Sequence, residues 1–348
     1  VKGQWRDLLE EARASVSGHQ VRKELSEQEE QQKVLREVVR LVRLGELSKA
    51  RQALLAAKLA PGTQATLDKL NQRPSEPQVP LSEEVQNTEP DTPVKLNRAL
   101  FLSNVRSAPR GSSAALSGWR YEHWKVMLDD EYSTDLLYLV AAEVAKANVA
   151  EGLAKVLTTG QLVALQKDDG GVRGIVAGET LRRLVARTLA QQFGEELEKE
   201  VSPFQFALST RAGTECVSHM IRAATDLDPD LTILSVDEMS AYDSMRRQAM
   251  LGKLSSRPKL RGLLPFVKMS YGRPSRYFWR DAEGRRHVVK QGEGGEQGDP
   301  LMPALFALGL HDTLVEVKTH MLPGEHLFAY LDDVYILCKP ERVRTLYD

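Results

Sequence analysis

The stretch Phe328-Ala329-Tyr330-Leu331-Asp332-Asp333-Val334-Tyr335-Ile336-Leu337 decides how the rest of the sequence is read. Two adjacent acids stand between apolar, β-favouring runs, the pattern of two strands, His326 to Leu331 and Val334 to Cys338, turning over Asp332 and Asp333. Turns favour aspartate for reasons of their own. Here the flanking strands are apolar enough to be buried, and unpaired charge at the apex of a buried hairpin is costly unless a cation is bound. A second acid arrives in the same way: Thr232 to Val236 reads as a short buried strand ending on Asp237. Two acidic points on rigid elements offer the hard oxygens that a pair of divalent cations roughly 3.5 to 4 Å apart requires.

Working outward, Pro300 to Thr319 reads as a helix after a loop with glycines at 292, 294, 295 and 298. The stretch Gly292-Glu293-Gly294 is not expected to follow a strand as a dinucleotide-binding loop would. Leu162 to Lys167 and Val172 to Val176 flank Asp168-Asp169-Gly170-Gly171 and predict a hairpin. Helical patterns cover Leu96 to Val105, Trp119 to Leu128 and Thr134 to Asn148. Residues 72–95 hold five of the sixteen prolines among Ser, Glu and Gln, and are read as a linker. Residues 1–71 are read as a helical segment: Leu35, Val38, Val39 and Val42 share a face, Gly45 interrupts, and Leu47, Ala50 and Leu54 resume, as in a helical hairpin.

Composition narrows the classes. The 348 residues are 42% hydrophobic, enough for two or three compact units. Cys216 and Cys338 are the only cysteines, which excludes a disulfide framework and a Cys-built zinc site and suits a reducing compartment. The longest apolar run, Leu301 to Leu310, falls short of the roughly 18 residues of a membrane span, and no secretion signal is visible. An intracellular location, nuclear or cytoplasmic, is therefore expected, with no membrane partner. Net charge is −1, yet Arg246 to Lys290 carries thirteen Lys and Arg against Asp281 and Glu283, with Phe266, Tyr271, Tyr277, Phe278 and Trp279 between them. This composition suits a nucleic-acid track with stacking surfaces, and equally a solvated basic face over core aromatics.

Three ordered segments then resemble the palm motifs of reverse transcriptases: Asp237-Glu238-Met239-Ser240-Ala241-Tyr242-Asp243, Gln297-Gly298-Asp299-Pro300-Leu301-Met302-Pro303-Ala304-Leu305-Phe306, and Phe328 to Asp333. A single Tyr-x-Asp-Asp is weak evidence, whereas three motifs in order and in fitting contexts are strong. The Gln-Gly-Asp-Pro-Leu loop and the Ala-Tyr-Asp ending are similar to the non-LTR (LINE-type) retrotransposon group. Gln205 to Leu208 with Arg211 to Glu215, and Ser107 to Gly111, resemble further blocks of that group. The likeness spans about Ser107 to Pro340 and does not reach residues 1–95.

The resemblance implies an α+β right-hand polymerase with fingers and palm over residues 96–340, an antiparallel palm sheet with helices, and a helical N-terminal segment before it. It implies an RNA-directed DNA polymerase, a nucleotidyltransferase that joins deoxynucleoside triphosphates to a DNA primer on an RNA template. Asp237, Asp332 and Asp333 fall on the catalytic carboxylates, and the carbonyl of Glu238 on a further ligand of two Mg²⁺ ions, with Mn²⁺ as the alternative. Tyr242 falls on the ring that excludes a 2′-hydroxyl, Gln297 and Gly298 on the loop approaching nucleotide and template, and Lys167 and Arg173 on the pair holding the triphosphate. Arg276, Arg280, Arg285 and Arg286 are the expected nucleic-acid contacts. Arg182 and Arg183 are read as less specific, one of them as a cap of helix carbonyls.

Two positions depart from the pattern: Gly174 follows Arg173 where many relatives have proline, and Glu296 precedes Gln297, where an acid beside the template path would weaken binding. The sequence ends at Asp348, fifteen residues past Asp333, so residues 341–348 read as a truncated tail and the thumb is expected to be absent. A catalytically silent RNA-binding fragment of a decayed retroelement and an RNA-copying polymerase remain as competing expectations. Oligomeric state, template and priming mode are left open.

Overall fold

The computed structural model describes residues 27–43, 45–237 and 240–348. The first 26 residues of the N-terminal helical segment, and Glu238, lie outside the described residues. The chain divides into two compact units, one comprising residues up to 72 with 163–174 and 278–288, the other comprising 73–162, 175–277 and 289–348. The fold is α+β, with seven described strands in two sheets. These are β1 (Thr159–Gln166), β2 (Val172–Ala177), β3 (Thr232–Asp237), β4 (Ser275–Arg280), β5 (Arg286–Gln291), β6 (His326–Tyr330) and β7 (Asp333–Cys338). The first sheet has the order β2-β1-β4-β5 and the second β3-β7-β6. Among the described residues no helix is long and apolar enough to cross a membrane.

In the first unit the helical hairpin pairs Glu27–Arg43 with Leu47–Leu54. Gly45 ends the first helix at φ +73°, where its own N–H and that of Glu46 satisfy the carbonyls of Val42 and Leu41. The contact face is Val38, Leu41 and Ala50, while Leu35, Val39, Val42, Leu47 and Leu54 are exposed, so the stripe read from the sequence is only partly the buried one. Further on, Ala60 N–H donates to the Ala164 carbonyl at 2.9 Å and Gln166 N–H to the Lys58 carbonyl at 2.8 Å, an isolated antiparallel bridge to the last residues of β1. Gly62 has no room for a side chain, because the Ala282 backbone occupies that space.

The second unit holds the larger core, built by Phe101, Leu137, Val185, Leu251, Phe266 and Phe306 from six different helices. Val85 and Val94 are buried in this core. Residues 73–95, expected as a linker, thus contribute to packing, Val85 from the short helix Glu83–Asn87 and Val94 from the stretch after it. The second sheet is covered on both faces. Leu327, Ala329, Ile336 and Cys338 pack with Leu314 of the helix Met302–Thr319, whereas Phe328 and Leu337 pack with Val217 of the helix Gly213–Leu227. This alternation is the two-residue period of a strand.

The central strand is β7, and β3 lies at the edge. Expected as a buried strand, β3 instead alternates between half-buried and exposed positions, and Ile233 is 49% exposed. Its apolar composition reflects one covered face, where Leu234 packs on the helix core, rather than two. The glycine-rich stretch from Gly292 follows β5 directly, contrary to the expectation that no strand precedes it. The open side of β6 is taken by residues 204–206: Phe206 N–H donates to the Ala329 carbonyl at 2.9 Å and Ala329 N–H to the Phe204 carbonyl at 2.8 Å.

Central and edge strands differ in what a substitution costs. Leu337→Ala removes a fully buried side chain and is expected to cost about 2–5 kcal/mol in urea denaturation. Ile233→Thr on the exposed face of β3 is expected to change stability by less than about 0.5 kcal/mol. Comparable losses would mean that β3 is buried after all.

Candidate active site

Antiparallel pairing of β3 with β7 sets Thr232 opposite Cys338 and, five residues on, Asp237 opposite Asp333. Directly opposed residues project from the same face, so these two carboxylates emerge side by side at the exposed end of the sheet. Asp332 occupies the two-residue turn between β6 and β7, where Tyr330 pairs with Asp333. The turn is sharp because Leu331 adopts φ +56°, a conformation rare for a side-chain-bearing residue. Gln205 holds it there: the Leu331 N–H donates to Gln205 Oε1 at 2.6 Å, and Gln205 Nε2 donates to the Leu331 carbonyl at 3.4 Å. Burial pushes the Asp333 carboxyl above its ordinary range, and the like charges of Asp332 and Asp237 push it further.

Tyr242 stands beside this cluster. Its ring stacks on Phe306 at 5.1 Å with an interplanar angle of 15°. Burial and then the charge of Asp332 raise its hydroxyl well above the ordinary value, so the phenol stays neutral. The backbone after Tyr242 is tied to the glycine-rich loop: Gly295 N–H donates to the Tyr242 carbonyl at 2.8 Å and Gly294 N–H to the Met245 carbonyl at 2.7 Å. Within that loop residues 292–296 are buried, Gln297 is half-buried, and Gly298 is exposed at φ +115°, a conformation that requires glycine.

Two buried arginines clamp the loop. Arg247 donates from its backbone to Glu293 at 2.7 Å and from its side chain to the Gly294 and Arg273 carbonyls. Arg182 pairs with Glu296 and with Asp299, the latter at 3.3 Å, and Tyr271 donates its hydroxyl to Asp299 at 2.6 Å. Burial alone would lower the Arg182 guanidinium, but the Glu296 and Asp299 charges outweigh it and keep Arg182 charged. Glu296 is 2% exposed and faces Arg182, which corrects the expectation of an acid beside the template path. Arg182 is engaged by these acids, and Arg183 donates to the Ser113 carbonyl, outside any helix, at 3.5 Å and lies over the Tyr121 ring at 5.2 Å.

Lys167 and Arg173 belong to the first unit, on either side of the hairpin turn that Lys167 N–H closes on the Gly171 carbonyl at 2.9 Å. Arg173 is exposed. The basic stretch is less free than its composition suggests. Arg247, Lys253, Arg257, Arg261, Lys268, Arg273 and Lys290 are engaged by acids or carbonyls of the second unit. Arg285 pairs with Asp281 and Glu283 in the first unit. Arg276 and Arg286 are exposed, and Arg280, lowered by burial, also feels the like charge of Arg286. Among the expected nucleic-acid contacts, Arg276, Arg280 and Arg286 are therefore the ones not ion-paired among the described residues.

The family described as reverse transcriptase (RNA-dependent DNA polymerase) matches residues 165–345, just over half of the chain. The chain belongs to the reverse transcriptase family. No curated protein matches it by sequence. Among solved structures, it is similar to apo telomerase from Candida Tropicalis truncated from its C-terminal domain, with 13% identity and a TM-score of 0.41 over 55% of this chain and 45% of that one. Telomerase from the same organism in complex with a fragment of telomeric RNA aligns at 14% identity and a TM-score of 0.41, covering 54% and 37%. The chain thus spans less than half the length of these structures.

Reverse transcriptases generally use divalent metals, and the donor set fits one. Among the described residues no three His, Cys, Asp or Glu side chains form a closed metal cluster. What stands at the sheet end is an open arrangement, an opposed pair of carboxylates with a third in the turn, all acceptors and mutually repelling. Mg²⁺ is characteristically held by one or two carboxylates and completed by substrate phosphates.

Asp333 gives this a thermodynamic test. Its carboxyl holds a proton more tightly folded than unfolded, so it withdraws stability as pH rises from the unfolded value of about 3.9 through its raised one. At neutral pH, Mg²⁺ or Mn²⁺ should raise the thermal midpoint. Asp333→Asn should raise the metal-free midpoint and shrink the metal-induced rise, and an unchanged rise in that variant would place the metal elsewhere. Separately, Arg182→Met leaves two buried acids without their cation and is expected to cost about 3–5 kcal/mol in chemical denaturation.

Proposed function

We propose that this chain carries out RNA-templated DNA synthesis as the fingers and palm of a non-LTR (LINE-type) retrotransposon polymerase. The observation that carries the reading is the convergence of Asp237, Asp332 and Asp333 at one sheet end, with Tyr242 held against Phe306 beside them. Asp237, Asp332 and Asp333, with the carbonyl of Glu238, are the ligands for two Mg²⁺ ions or their Mn²⁺ substitutes. Those ions, when bound, supply charge neutralisation for the triphosphate and acidify the primer hydroxyl. The chain's own groups do the rest.

Tyr242 fills the space that a 2′-hydroxyl needs, which selects deoxynucleoside triphosphates. Gly298, without a side chain, lets the loop backbone approach the nucleotide, with half-buried Gln297 beside it. Lys167 and Arg173 neutralise triphosphate charge that metals alone leave uncompensated. Arg276, Arg280 and Arg286 pair with phosphates of the RNA template and DNA primer, with Arg285 oriented through Asp281. The place of action is intracellular, nuclear or cytoplasmic, as such chemistry requires.

Primer extension on a ribonucleotide template with deoxynucleotides and Mg²⁺ is the test. Asp332→Ala is expected to lower nucleotide addition by about a thousandfold, the several kcal/mol that a metal ligand contributes in the transition state, with RNA binding nearly unchanged. Tyr242→Ala should admit ribonucleotides. Tight, salt-dependent RNA binding with no extension would favour a silent fragment, and equal use of ribonucleotides by the unaltered chain would favour an RNA-copying enzyme.

A further inference from the structure

We infer that Arg73, in the proline-bearing segment before the matched region, is a positioning residue that sets the sugar selectivity of the polymerase centre; the inference rests on the reverse-transcriptase reading above. Arg73 Nη2 lies 3.3 Å from Asp243 Oδ2, and the two side chains are only 9% and 13% exposed. Its Nη1 donates to Gln291 Oε1 at 3.4 Å, and Gln291 Nε2 donates to the other Asp243 oxygen at 3.4 Å. Three side chains thus close on one another at the joint between the turn Tyr242-Asp243 and the glycine-rich loop.

The backbone makes that joint tight. Asp243 N–H donates to the Ser240 carbonyl at 2.7 Å, and Gly294 lies so close to Tyr242 and Asp243 that a Cβ there would collide with both backbones. The segment carrying Arg73 is itself fixed to the loop: Gly292 N–H donates to the Pro74 carbonyl at 2.6 Å, and Gln78 N–H to Glu293 at 2.7 Å. Arg73 acts through Asp243 on the backbone that carries Tyr242, whose ring stacks on Phe306 and whose hydroxyl feels the Asp332 charge. A largely buried carboxylate that loses an adjacent cation shifts or recruits water, and the neighbouring ring shifts with it. A displaced ring enlarges the sugar pocket before it disturbs the carboxylates at the sheet end.

The test uses the full chain and the variants Arg73→Gln, Arg73→Lys and Asp243→Asn. In primer extension, Arg73→Gln should raise KM for deoxynucleotides and weaken discrimination against ribonucleotides by about tenfold each, with kcat changed much less, since displacements well under 1 Å already carry penalties of that size. Arg73→Lys should recover part of both. A fall in kcat alone, with KM and discrimination intact, would reduce Arg73 to scaffold and overturn the inference.

Hydrogen exchange supplies a readout that does not need activity. The Gly294 and Gly295 amides, bonded to Met245 and Tyr242, should exchange faster in Arg73→Gln and Asp243→Asn than in the unaltered chain, with Arg73→Lys between. Unchanged protection overturns the inference even if the enzyme is active. An unaltered chain that extends no primer removes the polymerase reading, and the exchange data then decide on positioning alone.

Discussion

Holding like charges together is the constraint around which the second unit is built. Asp237 and Asp333 are directly opposed across a strand pair, a placement that by itself destabilises a sheet. The surroundings bear that repulsion because the strands have little freedom to avoid it. β7 is central, its inner residues are buried on both faces by two helices, and its register with β3 runs unbroken from Cys338 to Asp333. A one-residue slip would turn Asp237 to the helix face and lose every apolar contact of Leu234. The turn is held as firmly, since Gln205 binds both backbone groups of Leu331 in a conformation that this residue would otherwise avoid.

The glycine-rich loop solves a different problem with buried charge. Gly292, Gly294, Gly295 and Gly298 leave it few side chains with which to anchor itself. Its acids do the anchoring instead. Glu293 accepts from the Gln78 and Arg247 backbones, and Glu296 and Asp299 share Arg182. Ion pairs of this kind contribute little net stability once desolvation is counted, but they fix geometry, since breaking one leaves a buried charge. Glu296, which looks like an intrusion in the sequence, is one of the loop's fixed points.

Much of the strand framework was legible because it is local. Alternation and the adjacent acids place β6 and β7, although the turn falls one residue earlier than read, on Leu331 and Asp332 with Asp333 opening β7, and the Asp168 to Gly171 turn places β1 and β2. The β4–β5 hairpin was missed, although Arg276, Phe278 and Arg280 alternate with buried Ser275, Tyr277 and Trp279, because the density of charge hid the period of two. That β3 is an edge strand could not be read, since an apolar run looks alike with one face covered or two. The candidate acids were legible from order and spacing, whereas their partners were not. Arg182, Gln205 and Arg73 reach residues 88 or more positions away, and no periodic pattern announces such a contact. Proline content likewise suggested a linker where Val85 and Val94 enter the core, because composition reports what a segment lacks and not where its few apolar residues go.

Charge shows the same limit in its strongest form. Thirteen Lys and Arg between Arg246 and Lys290 suggest a continuous electrostatic track, yet most of them are tied to acids and carbonyls of the chain itself. A cation already paired releases few counterions on meeting a phosphate, so the salt dependence of binding follows the cations still unpaired and not the sequence total. Arg280 has the opposite character, since burial and then the like charge of Arg286 lower its guanidinium.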